Sequence, residues 1–202
     1  MNRILLITSS PRAESISTRI AHTLAEKLAS RKPNSVVAVR NLVQEPLRHI
    51  DDSFATARNL PAETLTPAQK AVLAVSDDLV KELLAADSII MAAGMINFGI
   101  PSNLKSYIDH IVRPGVTFTY TDQGPLGMVK NKKVYLVLAR GGFYTEGPMQ
   151  QFNFQDTYLR AALGFIGLND FEIIAVEGVA FGPDVTNKAV DAALAKVSAL
   201  AA

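Results

Sequence analysis

Five short runs of consecutive apolar residues punctuate the chain, and between them lie stretches with helical periodicity or polar, proline-containing sequence. Arg3 to Thr8 (RILLIT), Ser35 to Val39 (SVVAV), Ser88 to Ala93 (SIIMAA), Lys133 to Ala139 (KVYLVLA) and Phe171 to Val176 (FEIIAV) have the composition of strands covered on both faces. Ile20, Leu24 and Leu28 recur every four residues across a helix over Thr18 to Ser30. Val72, Val75, Leu79 and Leu83 predict the buried stripe of a second helix, which opens at Thr66-Pro67-Ala68-Gln69 with the spacing of a capping box and proline at the first helical position. Leu104, Ile108 and Ile111 give a third, over Ser102 to Val112 and capped by Ser102. Two more follow, at about Gln155 to Phe165 and at Pro183 to Leu200.

Strands that alternate with helices predict an α/β, doubly wound parallel sheet. For five strands the natural order is 2-1-3-4-5, with the switch point between the first and third. No internal repeat or linker divides the chain, so residues 1–202 read as one domain. Two segments break the alternation. Asn41 to Thr66 is a polar excursion with one short helix at about Ser53 to Arg58, and Arg58 there is a cation that could meet an anionic cofactor or substrate, or simply stay solvated. Val116, Phe118 and Tyr120 alternate before a turn at Asp122-Gln123-Gly124-Pro125, a hairpin-like insertion whose aromatics need something to cover.

Composition narrows the chemistry. Apolar residues make up 49% and charged residues 19% of the 202, the balance of a well-buried globular enzyme and not of a disordered chain. A formal net charge of +1 gives no broad footprint for nucleic acid or an anionic membrane. Without cysteine there is no disulfide, thiolate metal site or cysteine nucleophile, and His22, His49 and His110 have no metal-ligand spacing. The apolar run at Ile4 to Ile7 is too short for a signal segment, and no apolar stretch is long enough to span a bilayer; the expected setting is cytoplasmic.

Three loops carry what chemistry remains. SSPRAESIS after the first strand offers Ser9, Ser10, Ser15 and Ser17 at a helix start, where hydroxyls, unpaired N–H groups and the positive end of the macrodipole suit a phosphate. Serines that merely cap the helix are the equal alternative, since neither GxGxxG nor a P-loop is present. MINFGIP after the third strand is too apolar for a solvent linker and carries one amide, Asn97, which suggests a flat, hydrogen-bonding ring system. Gly141-Gly142 after the fourth strand lets backbone approach a ligand closely, and aromatics crowd the segment beyond it. In the order 2-1-3-4-5 all three open on one edge of the sheet, beside the switch point.

These motifs together, with LTPAQ before the long helix, IPSNLKSYID, GVTFTY and LGFIGLNDFEIIAVEG, resemble the FMN-dependent NADH:quinone oxidoreductases that also act as azoreductases, a flavodoxin-like family. The resemblance covers essentially the whole chain. It implies non-covalent FMN, with Ser10, Ser15, Ile16 and Ser17 at the phosphate and ribityl end and Ser9 nearby. It implies Met95, Ile96, Asn97 and Phe98, then Ala139, Arg140, Gly141 and Gly142, around the ring; beside it, Phe118, Tyr120 and Arg58 are expected toward substrate. It further implies NADH or NADPH as donor, a quinone or azo acceptor, ping-pong order and a homodimer with flavin near the interface. The sequence departs from the family pattern at three positions: Ile16 stands where glutamine is common, Ile96 where tyrosine is, and Ala139 where serine is. With no metal and no side-chain nucleophile, the flavin would carry the chemistry. The other readings of the fold are a flavodoxin-like electron carrier that oxidises no NADH itself, and a scaffold without redox chemistry.

Overall fold

The computed structural model describes residues 2–200. Its elements in chain order are β1 (Arg3–Thr8), α1 (Ile16–Ser30), β2 (Val36–Asn41), α2 (Asp52–Ala57), α3 (Pro67–Ala85), β3 (Ser88–Gly94), α4 (Ser102–Ile111), β4 (Phe118–Thr121), β5 (Gly124–Gly127), β6 (Lys133–Ala139), α5 (Phe154–Phe165), β7 (Asp170–Val176) and α6 (Pro183–Leu200). The main sheet has the order β2-β1-β3-β6-β7, and every pairing in it is parallel. Because β4 and β5 form a separate antiparallel pair, this is the expected 2-1-3-4-5 arrangement, and its switch point falls between β1 and β3.

Alternation along each strand divides the core in two. Leu5 and Ile7 of β1, with Met91, Leu136 and Leu138, face α3, α4 and α5. Ile4 and Leu6, with Ile90 and Val137, face α1 and α6. Both faces of β1, β3 and β6 are therefore dry, which is why those strands read as unbroken apolar runs and not as alternating ones. Beneath the excursion, Phe54, Ala57 and Leu73 form a small third cluster.

Four local expectations shift. The buried face of α3 is Leu73, Ser76, Leu79, Val80 and Leu83, while Val72 and Val75 are 37% and 51% exposed. A helical period accepts either stripe where adjacent residues are both apolar; the choice is made by Leu73 packing on Phe54 and by the Ser76 hydroxyl, which donates to the His110 carbonyl at 2.5 Å. Ser102 is the first residue of α4 and not its cap, which is Pro101 without a side-chain bond. The hairpin turn contracts to Asp122 and Gln123, because Tyr120 pairs with Pro125 and Thr121 with Gly124. β2 begins one residue later than its apolar run, in register with Arg3–Thr8. The Thr66–Gln69 capping box forms as expected.

Candidate active site

The loops after β1, β3 and β6 converge on a single cleft of ≈ 390 Å³. Ser10, Pro11, Arg12, Ser15, Ile16 and Ser17 line it from the first loop, Gly94, Met95, Ile96 and Pro101 from the second, and Ala139 and Gly141 from the third. Val179 and Ala180, beyond β7, complete the wall.

At the serine side, α1 starts beneath Ser15, whose extended backbone and hydroxyl make the cap by accepting from the Thr18 N–H at 3.2 Å. The Ser17 hydroxyl lies 3.2 Å from that of Ser15. The N–H groups of Ile16 and Ser17 belong to the first turn, which a helix leaves without internal acceptors, so donors and macrodipole face the cleft together and suit an anion. Arg12 adds a cation: its backbone N–H donates to the Ser10 hydroxyl at 3.3 Å, and its guanidinium is paired with no carboxylate among the described residues. Ser9 plays another part. Its hydroxyl is fully buried and donates to the Ala92 carbonyl at 2.8 Å, and its own carbonyl accepts from Asn103 Nδ2 at 2.9 Å, so it fastens the neck of the loop to β3 and α4 without lining the cleft.

The apolar loop is a tight turn. Ile96 and Gly99 exchange both backbone hydrogen bonds, at 3.1 and 3.0 Å, across Asn97 and Phe98 at φ 45° and 70°. Positive φ at both central positions is the pattern of a type I′ turn, a conformation that a phenylalanine adopts only under constraint. The constraint is visible: the Phe98 carbonyl accepts from the Phe154 N–H at 3.1 Å, and its ring packs against Phe152 and Tyr144. Met95 and Ile96 reach the cleft, whereas Asn97 and Phe98 form its exposed rim.

In the third loop, three successive carbonyls are occupied: Arg140 accepts from Val179, Gly141 from Ala180 and Gly142 from Gly178, at 3.0–3.2 Å. A trans peptide points its C=O and the following N–H in opposite directions. The N–H groups of Gly141 and Gly142 are thereby turned away from the 178–180 segment, and neither has an acceptor among the described residues. The Arg140 side chain does not join them. It is 1% exposed and runs into the protein, donating from Nε to Gln155 at 3.0 Å, from Nη2 to Asp156 at 2.6 Å and from Nη1 to Glu177 at 2.9 Å.

The three residues expected toward substrate lie outside the cleft. Phe118 is buried under the hairpin against Phe165, with ring centroids 4.6 Å apart, and Tyr120 is 71% exposed at the hairpin's end. Arg58 donates to the Val112 carbonyl at 2.9 Å and lines a separate cavity of ≈ 180 Å³ with Asp109 and Tyr158; burial, and then the neighbouring Arg113, lower its pKa. Arg12, Pro101, Val179 and Ala180 were not singled out by composition. Arg12 sits inside a loop that was, but with Glu14 two residues on, nothing in the sequence shows that its guanidinium stays unpaired. Val179 and Ala180 follow an edge strand and carry none.

A five-stranded parallel sheet in this order, with a cleft and a serine-capped helix start at its switch point, defines a flavodoxin-like protein, and residues 2–201 match the family model described as flavodoxin-like fold. The FMN-dependent NADH:quinone oxidoreductase 1 of Rhizobium etli is 53% identical over 201 residues, covering 100% of this chain and 98% of that one, and the FMN-dependent NADH:quinone oxidoreductase of Mesorhizobium japonicum is 52% identical over 200 residues, 98% of this chain and 95% of the relative. The chain belongs to the family of FMN-dependent NADH:quinone oxidoreductases. Among solved structures it is similar to an FMN-dependent NADH-azoreductase from Bacillus anthracis in complex with FMN, with a TM-score of 0.87, 25% identity and full coverage of both chains.

Proposed function

We propose that this protein is an FMN-dependent NAD(P)H:quinone oxidoreductase that also reduces aromatic azo compounds, with residues 1–202 as one FMN-binding domain. The observation that carries the reading is one cleft lined both by a helix start whose first-turn N–H groups suit an anion and by Gly141, whose N–H, like that of the adjacent Gly142, has no acceptor among the described residues. Ser10, Ser15, Ile16 and Ser17, with Arg12, would hold a phosphate. Met95 and Ile96 would cover the ring with apolar surface, and the Gly141 and Gly142 N–H groups would donate to its polar edge, where negative charge gathers on reduction. The chemistry supplied by FMN bound there is two-electron transfer from NADH or NADPH to a quinone or azo acceptor, in ping-pong order. Ile96 and Ala139 leave less aromatic surface and one hydroxyl fewer at the ring than tyrosine and serine would, so backbone donors carry more of the recognition.

The exposed rim supports a homodimer. Ile96, Phe98, Phe152 and Phe154 are 50%, 41%, 37% and 56% exposed, and they are held together by the Phe98 contacts. A second copy laid over this rim would bury it and put the cofactor near the interface. Among the described residues no helix is long and apolar enough to cross a membrane, and dependence on reduced nicotinamide nucleotides would fit work in the cytoplasm.

Anaerobic NADH added to the FMN-loaded protein is expected to bleach the flavin absorption, and menadione or benzoquinone to restore it with steady NADH consumption. A protein that takes up no FMN sinks the reading. One that holds FMN yet leaves NADH untouched is an electron carrier instead.

A further inference from the structure

Arg140 has the largest fully buried side chain among the described residues, and four of its five N–H donors are accounted for without the cleft. Nε and Nη2 go to Gln155 and Asp156 at the start of α5, and Nη1 reaches both the Thr145 hydroxyl, at 3.2 Å, and Glu177 Oε1. Gln155 in turn donates to the Ala93 carbonyl at 3.4 Å, next to the cleft residue Gly94. This guanidinium ties β3, β6, α5 and β7 together behind the site.

Glu177 does something Asp156 does not. Besides Arg140, its Oε1 accepts the Tyr144 N–H at 2.8 Å and its Oε2 accepts the Thr145 N–H at 3.3 Å. Asp156 bonds only side chains, Arg140 at 2.6 Å and Arg160 at 3.9 Å. Glu177 also directly precedes Gly178, the first residue of the segment whose N–H groups occupy the carbonyls of 140–142. One carboxylate thus grips both ends of the Gly141-Gly142 loop: the Arg140 side chain before it and the 144–145 backbone after it.

We infer that Glu177, with Arg140, is the positioning residue that aims the Gly141 and Gly142 N–H groups into the cleft and so sets how strongly the site prefers reduced over oxidised flavin. This rests on the FMN reading above. Its sign separates it from plain electrostatics. Neutralising a carboxylate near the site, by charge alone, eases the negative charge that reduction brings and raises the potential. Letting the two N–H groups drift removes their stabilisation of that charge and lowers it.

The test is the two-electron midpoint potential of bound FMN in Glu177→Gln and Asp156→Asn, each loaded with FMN and each lacking one carboxylate at the same guanidinium. Glu177→Gln is expected to cut the preference for reduced over oxidised FMN about tenfold, a shift of about 30 mV to more negative potential. Asp156→Asn is expected to leave the potential unchanged or raise it, although thermal unfolding falls in both. An unchanged or raised potential in Glu177→Gln, or an equal lowering in Asp156→Asn, overturns the inference. If Glu177→Gln does not fold, Glu177→Asp keeps the charge but shortens the reach, and the same lowering is required of it. If the parent protein takes up no FMN, the functional reading itself fails and takes the inference with it.

Discussion

The rings of Phe98 and Phe152 meet with centroids 5.3 Å apart, so that a residue at φ 70° in the turn after β3 is clamped by the segment that leads into α5. The turn and the cleft residues Met95 and Ile96 are thus held from outside their own loop. Asn97 tolerates the left-handed region through its short polar side chain, whereas a β-branched residue does not. Asn97→Val is expected to cost about 1–3 kcal/mol in urea unfolding and to weaken FMN uptake, while Asn97→Gly keeps both near the parent values. Equal stability of the two variants would show the turn to be unstrained.

Arg12 and Ser15 offer a test of the phosphate end that spares the ring. Arg12→Ala removes an unpaired cation at the surface and should leave stability within about 0.5 kcal/mol of the parent. It is expected to weaken FMN binding by roughly ten- to a hundredfold, in line with the loss of about 1.5–3 kcal/mol typical of a hydrogen bond to a charged group, with riboflavin binding unchanged. Ser15→Ala should lose about 1 kcal/mol of folding stability as well, since the same hydroxyl caps α1. Fluorescence titrations with the two flavins, with and without the phosphate, read the difference directly.

The phenol of Tyr107 is fully buried, and its hydroxyl has no hydrogen-bond partner among the described residues. Burial, and then the nearby Glu82, push its pKa far above the ordinary phenol value, so it stays protonated throughout the working range. Removing an unpaired buried hydroxyl recovers its desolvation cost. Tyr107→Phe is expected to be as stable as the parent or more so, by up to about 1 kcal/mol; a loss of that size in urea unfolding would reveal a bound partner for the hydroxyl.

Gly127 faces Gly167 backbone to backbone. A Cβ at residue 127 would lie 2.2 Å from the Gly167 nitrogen, which cannot swing aside as a side chain can. Gly127→Ala is expected to cost about 3 kcal/mol or more, at the upper end for overpacking, with a correspondingly lower thermal midpoint and the hairpin lifted off Phe165.

How much of the site could be read from the chain differs by loop. Ser10, Ser15, Ile16 and Ser17 were legible because a cap and a helix start are local events, written in adjacent residues. Arg140 could be flagged as part of a loop but not assigned a direction, since the acids that draw it inward, Asp156 and Glu177, come from α5 and the end of β7. Val179 and Ala180 gave no signal, because their part is to offer N–H groups to another loop, and every non-proline residue has one. Ser9 was ambiguous for a similar reason: a serine beside a phosphate-type loop and a serine stitching two strands are the same residue until the acceptor at Ala92 is in place.

By itself, then, the sequence determined the class of fold, five strands with helices between, and which three strand ends meet at one cleft, because burial and helical period leave their mark on neighbouring residues. It also determined the Thr66–Gln69 capping box, for the same local reason. Only the tertiary structure decided which face α3 buries, that Arg58, Phe118 and Tyr120 stand apart from the cleft, and that the Arg140 side chain turns inward to Gln155, Asp156 and Glu177. Those outcomes depend on partners distant in the chain, and a hydrogen bond or an ion pair has no direction until both of its ends have been brought together.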